Sequence, residues 1–396
     1  RMAGNFVQLH NHTHYSLLDG ASKVPDLVKR VKELDMPAVG ITDHGNMHGA
    51  YELWRAAVDS GVKPIIGIEA YVTPETARQD KTRVSWDTNW TPVPGHARNP
   101  DDVSGGGLIT HLTMWAENDE GLVNLIKASS VANLEGRVMR YPRMDKEVLS
   151  TYSKGVIASS GCPSGIIQTR LRLGQFDEAL RAAGEFQDIF GKDNFYIELM
   201  DHGLSIESKV TGDLLTIAKK LGAPLLATND SHYVMEADKD AQDAMLCINS
   251  GATLDDPNRF KFEGSGYYIK SAEEMRELFK DHPDACDNTL EIAERCNVIF
   301  DDHEDGAFMP QFDCPEGWDE TSLFLKKVEE GLERRYNGKP SLEVLRQADY
   351  ECGVICQMQF CGYFLVVADY INWAKAHGVM VGPGRGSAAG AMVAYA

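Results

Sequence analysis

The sequence has no run of 18 consecutive apolar residues, so no transmembrane helix is expected, and residues 1–30 lack the order of a signal peptide. Its eight cysteines keep no regular spacing and form no CxxC pair. That excludes zinc-finger logic, and in a chain of 396 residues the cysteines read as reduced thiols of a cytoplasmic protein rather than a disulfide framework. Positive charge is scarce, with 39 Lys+Arg against 59 Asp+Glu and a net charge of −20. A protein that coats nucleic acid by bulk electrostatics is thereby excluded, though a local site with its own cations is not. Internal repeats and low-complexity tracts are also missing.

What is present is an ordinary globular composition, 43% hydrophobic and 25% charged, with length for about two or three domains. Apolar, β-branched runs at 5–13, 38–44, 64–73, 108–116, 155–162, 195–200 and 223–232 alternate with helical patterns at 24–35, 50–60, 122–132, 166–174, 176–190 and 207–221. This alternation predicts a parallel sheet covered by helices. Seven units fit a distorted seven-stranded (β/α) barrel, with an open doubly wound sheet as the alternative. Residues 74–107, rich in Gly, Pro, Asn and Trp, read as one long insertion loop, and loops of that length usually carry function. The pattern is mostly helical from 238 to 298. The acidic, Pro- and Gly-containing stretch after it places a linker at 301–320 between a first domain, 5–300, and a second, 321–396. Helical patterns at 321–336 and 342–376, a short strand at 379–381 and a new helix from Ala388 follow, and the chain is expected to be the front part of a longer protein.

Chelating side chains recur where the expected strands end. His10 and His12, two apart, share one strand face, and Asp19 lies in the turn after them. His44 closes the second strand, Glu69 the third and Cys162 the fifth; His111 lies in the fourth, and Asp230 and His232 end the seventh. In a barrel of parallel strands these ends converge on one rim, where chemistry is assembled. Buried unpaired charge is costly, so this many ionisable groups at the ends of hydrophobic strands point to a metal site rather than a core. Imidazole, carboxylate and one thiolate favour zinc, with manganese or iron as alternatives. His14, His48 and His202 read as rim residues without an assigned role, and Arg170 and Arg172 either steer DNA or are simply solvated.

HNHT (10–13), TDH (42–44), IE (68–69) and NDSHY (229–233) resemble the PHP (polymerase and histidinol phosphatase) family. HLTMWAENDEGLVNLIKASS (111–130), SGCPSG, TRLRLG, ELMDHG and the terminal VGPGRGSAAGAMVAYA are similar, within that group, to the family of bacterial DNA polymerase III alpha subunits. The resemblance covers residues 6–396. It implies a PHP barrel followed by the beginning of a polymerase palm. It also implies three metal positions: His10, His12, Glu69 and Asp230 around one ion, Glu69, His111 and Cys162 around a second, and Asp19, His44 and His232 around a third. Intact PHP domains of the family act as 3′→5′ exonucleases, so the resemblance implies a proofreading centre in which Asp19, Glu69 and Asp230 carry the chemistry.

Phosphodiester cleavage needs a nucleophile at neutral pH and positive charge at the equatorial oxygens, which bridging divalent ions supply. The expected nucleophile is a metal-bridging hydroxide rather than a side chain. Asp19, Glu69, Asp230 and a Cys162 thiolate contribute −4 against +6 for three ions, leaving about +2 to attract a phosphate.

GPGRGSAAG (382–390) reads alone as a tight turn or a phosphate site at a helix start, and it lacks the lysine of a Walker A motif. The resemblance assigns Arg385, Gly386 and Ser387 to the triphosphate of an incoming nucleotide. Magnesium, deoxynucleoside triphosphates, primer–template DNA and a sliding clamp are then expected partners of the longer protein, with no membrane. The palm's catalytic aspartates would lie after Ala396, so polymerisation by this piece is not expected. Cys352, Cys356 and Cys361 read as buried thiols. Two other readings are a phosphoesterase for small phosphate esters and a metal-stabilised docking module without nuclease activity.

Overall fold

The computed structural model describes residues 5–93, 98–301, 309–382, 384 and 386–396. The chain divides into two compact units, Arg1–Phe300 and Asp301–Ala396.

Seven strands build the first unit: β1 (Ala38–Ile41), β2 (Lys63–Val72), β3 (Thr110–Ala116), β4 (Arg143–Met144), β5 (Val156–Ser159), β6 (Phe195–Leu199) and β7 (Leu225–Ala227). They lie in the order β1-β2-β3-β5-β6-β7, with β4 beside β2. The sheet is mixed rather than parallel, because β3 runs antiparallel to both β2 and β5. A parallel return needs a crossover, usually a helix. Among its described residues, the 73–109 connection between β2 and β3 carries only the helical turn Ser104–Gly107.

Residues 5–13, expected to be the first strand, form no continuous ladder; they close the ring through isolated bridges, Gln8 to Val39 on one side and Asn11 to Ser231 on the other. Gly40 N–H donates to the Gln8 carbonyl (2.8 Å) and His12 N–H to that of Ser231 (2.8 Å). The segment passes so close to β1 that a Cβ on Gly40 would sit 2.3 Å from the Leu9 carbonyl oxygen, which only glycine avoids. The result is a distorted barrel.

Helices cover the outside. In Val24–Glu33 the buried residues are Val24, Leu27, Val28 and Val31, one apolar stripe at helical spacing. Asn118 caps Asp119–Glu135 by accepting from Gly121 N–H at 3.0 Å. Inside the barrel, Val7, Leu9, Ile65, Trp115, Ile157, Tyr196 and Leu226 form an apolar layer with Ile292 of helix Pro283–Arg295 and Cys296 just after it. Strand period then places Glu69 on the face of Ile65, His111 on the face of Trp115 and Glu198 on the face of Tyr196. Each strand thus carries an apolar residue in the barrel's floor and a polar one nearer its rim. Among the described residues 238–298 are helical at Lys239–Ser250, Ala272–Leu278 and Pro283–Arg295, while 251–271 form neither helix nor strand.

The second unit packs helices Glu320–Arg335, Leu342–Gln357 and Cys361–Ala376 around Phe324, Leu332, Cys352, Cys361 and Leu365. The helical pattern over 342–376 is broken at 358–360, where the two helices bend by 113°; Gln359 there takes φ +60°. Residues 379–381 are not a strand. Of the glycine turn, Arg385 and Pro383 lie outside the described residues; Gly386 has φ +104°, and Ser387 opens the turn Ser387–Gly390 ahead of helix Met392–Tyr395. Within the expected linker, 302–308 lie outside the described residues. Among the described residues no single helix is long and apolar enough to cross a membrane.

Candidate metal centre

All nine proposed ligands meet at one rim of the barrel. Glu69, at 0% exposure, stands in the middle: its Oε2 is 2.9 Å from His44 Nδ1, 3.1 Å from His12 Nε2 and 3.5 Å from His10 Nε2, and its Oε1 is 3.0 Å from His111 Nδ1. Asp230 Oδ1 lies 3.0 Å from His12 Nε2, 3.4 Å from His10 Nε2 and 3.6 Å from His232 Nδ1. Asp19 Oδ2 approaches His44 Nε2 (2.9 Å) and His232 Nε2 (3.6 Å). Cys162 Sγ is 3.3 Å from His111 Nδ1. Of the three sets implied by the resemblance, His10, His12, Glu69 and Asp230 place ligand atoms within 4.8 Å of one another; the two other such clusters are His44, Glu69 and His111, without Cys162, and His12, His44 and His232, without Asp19.

Local folding delivers each group. Asn11 N–H donates to Thr42 Oγ1 and its side-chain amide to the carbonyls of Gln8 and Gly40, anchoring the residue between His10 and His12. Asp19 is turned back by Leu17 and Leu18, both at positive φ, and its carbonyl accepts from Gln242 Nε2 at 2.9 Å. Asp230 itself sits at φ +45°, a conformation aspartate tolerates better than most residues. His111 reaches the rim because β3 is antiparallel: its N-terminal end lies where the C-terminal end of β2 lies, with His111 opposite Tyr71.

The donor set fits metal ions on an observation of the fold itself. His10 Nε2, His12 Nε2, His44 Nδ1, His232 Nε2, Glu69 Oε2 and Asp230 Oδ1 are buried and make no aligned hydrogen bond, only close ion-pair approaches within the cluster. Buried polar atoms without aligned hydrogen bonds are costly, and divalent ions would satisfy all six.

Electrostatics follow from the packing. Burial alone would lower the His10 imidazole, but Glu198, Asp230 and Glu69 hold it well above the ordinary histidine value. His44 is likewise raised against its burial by Glu69, Tyr71 and Asp19, and His232 by Asp230 and Asp19. Burial would raise the carboxyls, but the same histidines hold Asp19 and Glu69 well below the usual range and lower Asp230. His12, stacked at 4.1 and 4.2 Å on His44 and His232, is lowered by burial and by those two rings. Burial, then Glu69 and Asp230, push the Cys162 thiol well up. The charge count made with a thiolate consequently holds only when an ion displaces that proton.

Sequence reasoning missed Glu198. Fully buried in β6, it receives His10 Nδ1 at 2.7 Å, Thr228 Oγ1 at 2.5 Å and Ser159 Oγ, and so fixes which His10 nitrogen faces the centre. Its signal was an acidic residue inside the apolar run FYIEL (195–199). Glu198→Gln should weaken metal affinity about 10- to 100-fold while the barrel still folds, as read by competition with a chromophoric chelator and by circular dichroism.

Other expectations are corrected. His202 is no rim residue: buried, it bonds Glu207 through Nδ1 (2.7 Å) and the Asn229 carbonyl through Nε2 (2.8 Å), and stacks on Tyr267. Arg170 lies over Trp86 at 3.7 Å and pairs with Glu75, and Arg172 is buried against the carbonyls of Pro163 and Asp101. Both tie the 74–107 insertion to the barrel instead of facing solvent. His14 reaches the Ser22 carbonyl at 3.4 Å, and His48 joins none of the clusters.

Residues 8–202 match the PHP domain model, and residues 322–396 match that of the bacterial DNA polymerase III alpha NTPase domain. The DNA polymerase III alpha subunits of Mycobacterium leprae and Mycobacterium tuberculosis are 51% and 50% identical over 393 residues, 99% of this chain. The Treponema pallidum subunit is 41% identical over the same length. The chain spans about a third of the length of these curated relatives, 32–33%. Among solved structures, a putative metal-dependent phosphoesterase from Bifidobacterium adolescentis aligns at 15% identity and TM-score 0.32, covering 68% of this chain and 95% of that one. An amidohydrolase from Chromobacterium violaceum aligns at 14% and 0.34, covering 58% and 88%. Residues 8–202 therefore belong to the PHP family, and along 99% of its length the chain is kin to bacterial DNA polymerase III alpha subunits.

Proposed function

We propose that the centre is a metal-dependent 3′→5′ exonuclease that hydrolyses the terminal phosphodiester of primer–template DNA. The observation that supports this most is the convergence of six buried ligand atoms without aligned hydrogen bonds, in clusters formed by His10, His12, His44, Glu69, His111, Asp230 and His232. Zinc, up to three ions, suits the imidazole-rich set with one thiol. Bound divalent ions would supply positive charge at the phosphate and a water acidic enough to attack at neutral pH. Glu69, shared by four histidines, would hold two positions at a fixed separation. Asp230 would join Glu69 around His10 and His12, and Asp19 would complete the third position with His44 and His232. As catalytic groups these three carboxylates would fix where the scissile phosphate binds.

For the longer protein we propose template-directed DNA synthesis. Residues 5–300 would form the PHP domain, 301–320 a linker, and 321–396 the start of the palm. Arg385, Gly386 and Ser387 would meet the triphosphate of a deoxynucleotide, with magnesium at the polymerase site and a sliding clamp as partner.

The test is release of nucleotides from a 3′-mismatched primer–template by the metal-loaded chain. Release is expected to stop with EDTA and to fall at least 100-fold in Asp19→Asn, about 3 kcal/mol of transition-state stabilisation. No release from protein shown to hold its ions would instead favour a metal-stabilised docking module.

A further inference from the structure

Beside the metal centre lies a cavity of 410 Å³ whose walls include Lys239, Arg259, Lys261, Phe262 and Tyr267. Its volume is that of a small-ligand site. It adjoins the rim directly. The Phe262 ring meets His232 edge-on at 4.6 Å, and Gln242, another wall residue, holds the Asp19 carbonyl. Phe262 also packs edge-to-face on buried Tyr267 at 4.9 Å, which fixes its ring, and Phe260 beside it is 62% exposed.

The lining carries three cations, Lys239, Arg259 and Lys261, against two carboxylates, Asp243 and Glu263, a net positive charge in a chain of net charge −20. Arg259 is locked on Asp243 by two bonds of 2.5 and 2.7 Å, which orders the otherwise irregular 251–271 segment. The run Arg259-Phe260-Lys261-Phe262 alternates cation and aromatic ring. Aromatic faces take bases without sequence preference, and adjacent lysines take backbone phosphates.

We infer that this cavity seats a nucleotide of the single strand whose end enters the metal centre, its base on Phe262 and its phosphate at Lys239 and Lys261. The inference rests on the exonuclease reading and names the subsite that reading lacks. Because Phe262 touches His232, a strand with a base on Phe262 would run beside the metal rim.

The test uses the whole chain and a short single-stranded oligonucleotide with 2-aminopurine near its 3′ end and phosphorothioate linkages against cleavage. Binding to the wild type should quench the fluorescence by stacking. Phe262→Ala should lose most of the quench and weaken binding about tenfold, and Phe262→Trp should restore both, with metal content equal in all three. Lys239→Ala with Lys261→Ala should flatten the salt dependence of log K by about 0.7 per lysine. Equal quenching and affinity in wild type and Phe262→Ala, or no binding by the wild type, overturns the inference. The exonuclease reading fails separately, on absence of Asp19-dependent release.

Discussion

Glu69→Gln should abolish metal-dependent phosphodiester hydrolysis, a loss of about 1000-fold or more, equivalent to roughly 4 kcal/mol. The argument is geometric. One carboxylate, without any exposure, touches four imidazoles through its two oxygens. Glutamine keeps the volume but offers one oxygen and an amide that can only donate, and so it faces either His111 alone or His10, His12 and His44 together with the wrong polarity. In the proposed ligand sets two metal positions would share Glu69 and Asp19 would serve one, so elemental analysis should show Glu69→Gln losing more metal than Asp19→Asn. In the metal-free protein the substitution also strips His44 of its largest counter-charge and His10 of one of three, leaving Asp19 on the first and Glu198 and Asp230 on the second. The melting temperature without metal should therefore fall near pH 6, by the few kcal/mol typical of breaking a buried pair. A variant that kept full activity and full metal content would remove Glu69 from the centre.

That Glu69 could be picked out beforehand reflects what a sequence displays well. Chelating residues at the ends of apolar runs break the hydropathy pattern, and strand period alone puts His10 and His12, or Asp230 and His232, on one side. Helices Ala50–Ser60 and Phe176–Phe190 were readable to the residue, because Gly61 and Gly191 end them and apolar spacing defines one face. Direction was less legible. A strand–helix alternation says that elements follow one another, not that β3 runs against its neighbours, and the two-residue β4 is too short to leave a pattern. Partners distant in sequence were also hidden: Arg172 pairs with the Asp101 carbonyl 71 residues away, and Arg170 covers Trp86. Both therefore read as free cations when they are fasteners. Glu198 was visible as a charge inside a strand, but its purpose needs His10, 188 positions earlier.

Stability with and without metal should separate as pH rises. Without ions, His10, His44 and His232 have raised proton affinities, so their ion pairs contribute fully below the unfolded histidine value of about 6.5 and are lost as pH climbs through the folded values. Asp19, Glu69 and Asp230 are depressed, so their contribution is present above about 4 and is lost only as pH falls through their folded values. The metal-free centre is thus most favourable between about pH 4 and 6.5. Metal binding has the opposite dependence: it requires neutral imidazoles and an ionised Cys162, so protons must leave. The melting-temperature difference between metal-loaded and EDTA-treated protein should be small at pH 5.5 and should widen toward pH 8. With free metal at 1000 times its Kd the stabilisation is about 4 kcal/mol, or about 10 °C for a domain of this size. Calorimetric titrations in two buffers of different ionisation enthalpy should show net proton release on binding, smaller at pH 8 than at pH 6.5 as the histidines lose their protons beforehand. A melting difference that stayed constant with pH would mean that these histidines are already neutral in the metal-free chain, and that the carboxylates rest on something other than imidazolium.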